Sequence, residues 1–383
     1  MRSDRFSFIW PFHPENRRDV FRWTTFAAVA AIFLALFPIG VKAGPPKLTL
    51  VAEFHGHEGQ VFRILFSADG KTLVTSSVDG TVRLWTIPEL KEPFPVNVES
   101  SKDDKTAIRC LPEGGGAFIG FLPDGKTLVV ADQLESVIVA NQKPGRVRMR
   151  LWDATARKEC TPSKGERTLP INPWILTMTR DGNTLLSSRH SLGEESQFEL
   201  WNRESGKLDG ALPSSKVQYR SREFSPNGKL LAAASVRENQ IKIWDLKSRE
   251  AKLTITPRST VRFGVERLGN PECIDFSPDG TLIAAGCRNS TIQVWNVETG
   301  KLVRFFHCDE EVPQVAFSPD GKQIAAGGGR KLYVWNVKEG DQAVETMAPF
   351  EIIGLVFSPN GKYIAAALYK PHHVQLWALP AAK

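Results

Sequence analysis

Seven copies of one short β-strand unit fill this chain from Lys47 onward, so the expected fold is all-β and built from repeats. A tight turn recurs as SADGK at 67–71, LPDGK at 122–126, TRDGN at 179–183, SPNGK at 225–229, SPDGT at 277–281, SPDGK at 318–322 and SPNGK at 358–362. Each turn is followed by a short apolar run and then by a second run ending in Trp: Trp85, Trp152, Trp201, Trp244, Trp295, Trp335 and Trp377. The order never changes. Within the turn, Pro presets φ at the second position, Asp or Asn is accepted at the third, and Gly permits a positive φ at the exit. The clearest copy spans 312–337: a core-type run ends at Phe317, the turn follows, and two more runs cover 323–326 and 332–335.

Ahead of the repeats, residues 1–22 are polar and Arg-containing, and 23–41 form an uncharged, mostly apolar run. Val41-Lys42-Ala43, with Gly44-Pro45-Pro46 beyond, completes the order of an export signal, with Gly44 as the first residue after cleavage. Arg17-Arg18 followed by Val20-Phe21 also matches a short twin-arginine pattern. The rival reading is an uncleaved anchor that enters the membrane through 23–41 and leaves Arg17, Arg18 and Arg22 on the cytoplasmic side. On either reading 1–43 is a leader and 44–383 the folded domain. The bulk of the chain is then expected outside the cytoplasm: periplasmic, envelope-bound or secreted.

The first repeat opens with Gly56-His57 and carries Thr75, Asp79 and Trp85, while later tryptophans are followed by Asp153 and Asp245 or by Asn202, Asn296 and Asn336. In these residues the chain resembles the WD-repeat family of β-propellers. The resemblance implies a seven-bladed β-propeller of four-stranded antiparallel blades over 47–383. It also implies a hydrogen-bonded structural tetrad in blade one: His57, Thr75, Asp79 and Trp85. Repeat five has Ala285 and Asn289 where Thr75 and Asp79 stand, and repeats two to seven lack the Gly-His pair. Stability is therefore expected from apolar packing between blades. After Trp377 too little chain remains for a fourth strand, whereas 48–54 alternates Leu48, Leu50, Ala52 and Phe54 ahead of the first repeat. That segment is expected to complete the last blade and close the ring.

Charge excludes little beyond nucleic acid. The net charge is +7, but outside 1–43 there are 43 Lys and Arg against 39 Asp and Glu, too weak a global bias to argue for nucleic acid. The five cysteines show no paired or Cys/His spacing, so no disulfide framework or metal is expected. No nucleophile elbow, HExxH, phosphate-binding loop or haem-attachment pair is present, so neither catalysis nor a cofactor is expected. The leading reading is a non-catalytic protein- or peptide-binding scaffold. The alternatives are a propeller hydrolase or lyase, or a module that binds an anionic envelope polymer.

Binding is expected on the face formed by the b–c turns and d–a links, where every insertion falls: 132–146, 189–196 and 368–372, with long links at 99–116 and 257–271. That face carries Arg189, His190, Arg237, Arg258, Arg262, Arg267, Arg288, Arg330, Lys331, Lys370, His372 and His373, and the expectation is a cationic rim for an anionic partner. One inner strand is anomalous: Arg220 and Arg222 stand where blade one has Phe62 and Ile64. Either a bulge shifts the register, the favoured reading, or the charges meet partners such as Glu223 or a ligand.

Overall fold

Alternating apolar residues and the Asp-Gly or Asn-Gly turn after the first strand fold each repeat into an antiparallel sheet. The computed structural model describes residues 47–87, 96–99, 107–109, 118–133, 147–160, 167–169, 177–189, 197–213, 217–340 and 344–380. The expected leader at 1–43, the loop 134–146, His190 and most of the link 99–116 lie outside these residues. Among the described residues no helix is long and apolar enough to cross a membrane.

Seven sheets follow one another, with strands lettered a to d from the inside outward. Blade one is Val61–Phe66, Thr72–Ser77, Thr81–Thr86 and Ile108–Arg109; blade four is Ser221–Phe224, Leu230–Ser235, Gln240–Asp245 and Ala251–Ile255. Blade five is Pro271–Phe276, Leu282–Cys287, Thr291–Asn296 and Leu302–His307, and blade six runs from Gln314–Phe317 to Val344–Met347. Blade seven takes Ile352–Phe357, Tyr363–Leu368 and Val374–Ala378 from the end of the chain and Thr49–His55 from its beginning. Phe54 pairs with Val374 and Glu53 with Gln375, so the N-terminal strand closes the ring. Among the described residues three features exceed a plain four-stranded pattern. In blade two both Lys158–Glu159 and Arg167–Leu169 pair with the Trp strand Val147–Asp153. Val96–Glu99 adds a fifth strand, parallel to Thr49–His55, and Thr260–Arg262 with Val265–Arg267 forms a separate hairpin.

Closure repeats in the turns. A methyl group added to Gly70 would lie 3.7 Å from Pro359 of blade seven, and one on Gly321 would lie 3.5 Å from Pro278 of blade five. The turn hydroxyl also closes on itself: Ser67 Oγ donates to Asp69 at 2.6 Å, and Ser318 Oγ to Asp320 at 2.7 Å. Inside the ring, side chains of one blade meet the free backbone edge of the next. The N–H of Phe317 donates to Asp275 at 2.7 Å, and that of Ile274 to Ser221 Oγ at 3.2 Å.

The core is divided among seven apolar clusters, each of which joins two adjacent blades. Every cluster holds one of the repeat tryptophans; Trp85, for example, packs with Phe54, Leu73 and Leu376 at the closure. A tryptophan buries roughly 150–250 Å², which at ~25 cal/mol per Å² is roughly 4–6 kcal/mol as an upper bound. The periodic Trp therefore marks the blade interface, which is why it persists where other repeat residues change.

Strand a of blade four begins after Arg220, whose N–H donates to the Ala234 carbonyl at 2.8 Å, and no register shift occurs within the strand itself. Ser221 to Phe224 pair with Ala234 to Leu231 in unbroken register, whereas the a–b ladders of blades one, five and seven each shift at their start. The Arg220 side chain is 63% exposed and pairs with Glu272 of blade five, Nε lying 2.9 Å from its carboxylate, and not with Glu223. Arg222 lies over the Phe198 ring at 5.4 Å and donates to the Tyr219 carbonyl. Burial pulls its pKa down to about 10, so it stays charged at neutral pH.

Candidate functional site

In blade one the structure places the four tetrad residues in one chain of hydrogen bonds. Trp85 Nε1 donates to Thr75 Oγ1 at 2.9 Å, and Thr75 Oγ1 lies 2.7 Å from His57 Nε2. His57 Nδ1 lies 2.8 Å from Asp79, whose other oxygen accepts from Thr81 Oγ1 at 2.6 Å. The Asp79 carboxylate can only accept, so Nδ1 carries the proton; burial disfavours the imidazolium, which leaves Nε2 bare to accept from the Thr75 hydroxyl. Burial lowers the His57 pKa, against the raising effect of Asp79. Burial alone would raise the Asp79 pKa, but hydrogen bonds from His57 and Thr81 more than reverse it. Thr75 is fully buried and Asp79 half-buried, and the hydrogen bonds tie strands b and c of the blade to the link before strand a. Blade three keeps part of the arrangement, with Trp201 Nε1 donating to Ser187 at 3.1 Å. Its longer b–c turn hides that match in the sequence.

The expected cationic rim divides. Arg330 donates to the Ala348 carbonyl at 3.3 Å, Lys331 pairs with Asp309 and lies 3.7 Å from Glu345, and Lys370 sits by the Tyr369 ring at 5.7 Å. His373 is buried in the closure seam, 3.6 Å from Glu53, and burial lowers its pKa; neighbouring His372 is half-buried. The Arg189 side chain, like His190, lies outside the described residues. Three arginines do converge. Arg220, Arg237 and Arg288 line an open cavity of about 480 Å³ with Gln218, Tyr219 and Val236. Arg220 and Arg288 both pair with Glu272, whose side chain is buried between them. Arg237 is exposed and has no ion pair or hydrogen bond among the described residues.

The long link between blades four and five rises beside this cavity as the Thr260–Arg262/Val265–Arg267 hairpin. Its tip, Phe263-Gly264, has positive φ at both residues (53° and 76°), the signature of a tight I′ turn. Its base is pinned by buried amides of blade five. Gln293 accepts from the Arg258 N–H at 2.9 Å and donates to the Arg258 carbonyl at 2.9 Å, and Asn289 donates to the same carbonyl at 3.1 Å. Asn239 fastens the other side, donating to the Pro257 carbonyl and accepting from the Asn270 N–H at 2.7 Å. Above this base Val261, Phe263, Val265 and Leu268 are 73%, 92%, 61% and 52% exposed. Arg262 lies 5.5 Å over the Phe263 ring, Arg258 and Arg267 are exposed, and the Arg288 N–H donates to the Gly269 carbonyl at 3.0 Å. Sequence reading found the arginines of this link and missed its apolar residues. The signal was present: TVRFGVER alternates around a turn dipeptide.

In the inner ring, burial pushes Glu223 up to about 8 and Asp275 up to about 7. They stand on adjacent a strands and repel each other, while Arg63 of blade one partly offsets Glu223.

The family model described as WD domain, G-beta repeat matches residues 48–86, 209–245, 269–296 and 300–336. The matches at 48–86, 209–245 and 300–336 each include the outer strand of one blade and the Trp strand of the next, the same offset that lets Thr49–His55 close the ring. Human apoptotic protease-activating factor 1 is 23% identical over 338 residues, covering 73% of this chain and 26% of that protein. Autophagy-related protein 16 of Arabidopsis thaliana is 22% identical over 287 residues, 67% of this chain and 51% of its own length. Subunit I of eukaryotic translation initiation factor 3 from Aspergillus fumigatus is 40% identical over 53 residues, 14% of this chain and 16% of that protein. The chain thus spans about a quarter to a half of the longer matches. These relatives are named for apoptosis, autophagy and translation initiation, processes of the cell interior, and they overturn the expectation of an exported or membrane-anchored chain. An apolar run beside arginines is a short pattern and sets no address by itself. With seven interlocked blades and four matching stretches, the chain is a WD-repeat β-propeller.

Proposed function

We propose that this propeller is a non-catalytic protein-interaction platform that binds its partner on the face of the b–c turns and d–a links. The hairpin between blades four and five carries this reading. Four exposed apolar side chains on a base held by buried amides form a preorganised contact surface, and large aromatics in such positions dominate interface energetics. A relative named as a subunit of a translation initiation factor supports membership in an assembly. The arginines beside the hairpin add charge complementarity, which governs encounter rate and selectivity. The test is quantitative capture by the wild type and by a Val261→Ser, Phe263→Ser, Val265→Ser variant. Loss of a stoichiometric partner from the variant, with unchanged melting, is expected. Identical capture by both proteins would overturn the reading.

A further inference from the structure

Three guanidinium groups around one cavity hold more positive charge than their surroundings neutralise. Glu272 is the carboxylate bound there, and it engages Arg220 and Arg288 through their Nε atoms. No described residue pairs with Arg237, and no described carboxylate other than Glu272 pairs with Arg220 or Arg288. Each guanidinium presents five N–H donors in a planar fork, so most of the donor capacity facing the cavity is unused. Two positive charges remain uncompensated beside Tyr219 and Val236, which give the cavity an apolar side. The Arg288 N–H is bonded to the Gly269 carbonyl at the hairpin base, and Asn239, two residues after Arg237, bonds that base from the other side. Cavity and hairpin are therefore parts of one surface.

From this arrangement we infer that the Arg220, Arg237 and Arg288 cavity is a carboxylate-binding subsite that receives an acidic segment of a protein partner, with two neighbouring Asp or Glu side chains answering the two free charges. Glu272 shows that these guanidiniums accept a carboxylate. The exposed Val261, Phe263 and Val265 beside them call for apolar residues next to the acidic ones. This inference rests on the protein-interaction reading and names the chemistry of the partner.

The probe is a fluorescent peptide, Leu-Asp-Glu-Asp-Glu-Leu with blocked ends, measured by anisotropy across a salt series. Its comparison peptides carry Asn and Gln in place of the acids, or phosphoserine in place of the central pair. The proteins are wild type, Arg237→Ala, and Arg220→Gln combined with Arg237→Ala. Arg288 is left in place so that Glu272 keeps a partner. Binding of the acidic peptide is expected to weaken about fivefold in Arg237→Ala and more than tenfold in the double variant, and to fade with salt. The amide peptide is expected not to bind. Binding unaffected by the arginine changes, equal binding of the amide peptide, binding of the phosphopeptide alone, or no binding at all would each overturn the subsite. The hairpin capture experiment uses different residues and a different readout. A failure here with success there removes the carboxylate subsite and leaves the platform; failure there removes the reading on which both rest.

Discussion

Replacing Thr75 with Val isolates the electrostatic contribution of the blade-one tetrad, because the two side chains have nearly the same shape. The methyl fills the space of the hydroxyl, so no cavity opens, but two groups lose their partner: Trp85 Nε1 and His57 Nε2. Trp85 is 3% exposed and His57 7% exposed, so water cannot replace the hydroxyl. A buried polar group left unpaired costs about 1–3 kcal/mol. The lower end applies to Trp85, because Trp152 and Trp377 already keep their indole N–H groups without a partner in this protein. The expected loss is about 2–4 kcal/mol for the pair. Thr75→Ser is the control; it keeps the hydroxyl and removes one methyl, for about 1 kcal/mol. Denaturant midpoints would give the size of the effect, and amide exchange would locate it, with protection falling first in Thr72–Ser77 and Thr81–Thr86. Acid should mimic the substitution. The folded His57 pKa lies below its ordinary value, so the unfolded chain takes up the proton more readily and blade one loses stability as pH falls through that folded value. If Thr75→Val and Thr75→Ser denature alike and exchange at the same rates, the hydrogen-bond chain contributes nothing and packing alone holds the blade.

Two further outcomes follow from the same geometry. Ala366 stands where Thr75 stands in blade one, since Ile364 pairs with Trp377 as Leu73 pairs with Trp85, so Ala366→Ser should give the Trp377 indole an acceptor and stabilise by about 0.5–1.5 kcal/mol; a lower denaturation midpoint would show that the hydroxyl does not reach. Glu223 keeps its proton in the folded chain up to about pH 8 and loses it near 4.5 when unfolded, so its contribution to stability falls as pH rises between those values. Glu223→Gln should match wild type below this window and exceed it at the top, and parallel stability–pH curves would refute the protonated state.

Much of the fold was legible because its determinants are local and repeated. Turn, apolar run and Trp occur in one order, and the Trp reports the blade interface directly. The closing strand was legible too, because 48–54 alternates ahead of the first repeat. The partner of Arg220 was missed, because it is Glu272 on the next blade, 52 residues away, and adjacency across a ring does not show in local pattern. The rim divides for a related reason. Loops on one face need not point to one place: Lys331 turns to Asp309 and His373 enters the seam, while Arg220, assigned to an inner strand, joins Arg237 and Arg288. Export was read from composition alone, with no fold to test it against.

The degenerate tetrad of blade five explains why the 260–267 hairpin stands where it does. In blade one the socket at the end of strand b holds Asp79, and His57 from the preceding link plugs into it, keeping that link short. Blade five has Asn289 in the same socket and no histidine to fill it; the amide instead donates to the Arg258 carbonyl, and Gln293, two residues before Trp295, takes both polar groups of Arg258. A buried amide can donate and accept at once, so these two side chains meet both polar groups of Arg258, whereas the Asp79 carboxylate of blade one can only accept, from the Glu58 and Thr81 N–H groups. The link is then anchored at its base by groups excluded from water, and what lies beyond is free to extend as a hairpin at little cost to the blade. Because the anchor is already formed without a partner, little ordering entropy is lost when Phe263 and its neighbours are covered. Loss of the tetrad in blade five is thus tied to a gain of surface: the residues released from bracing the blade hold out the apolar tip.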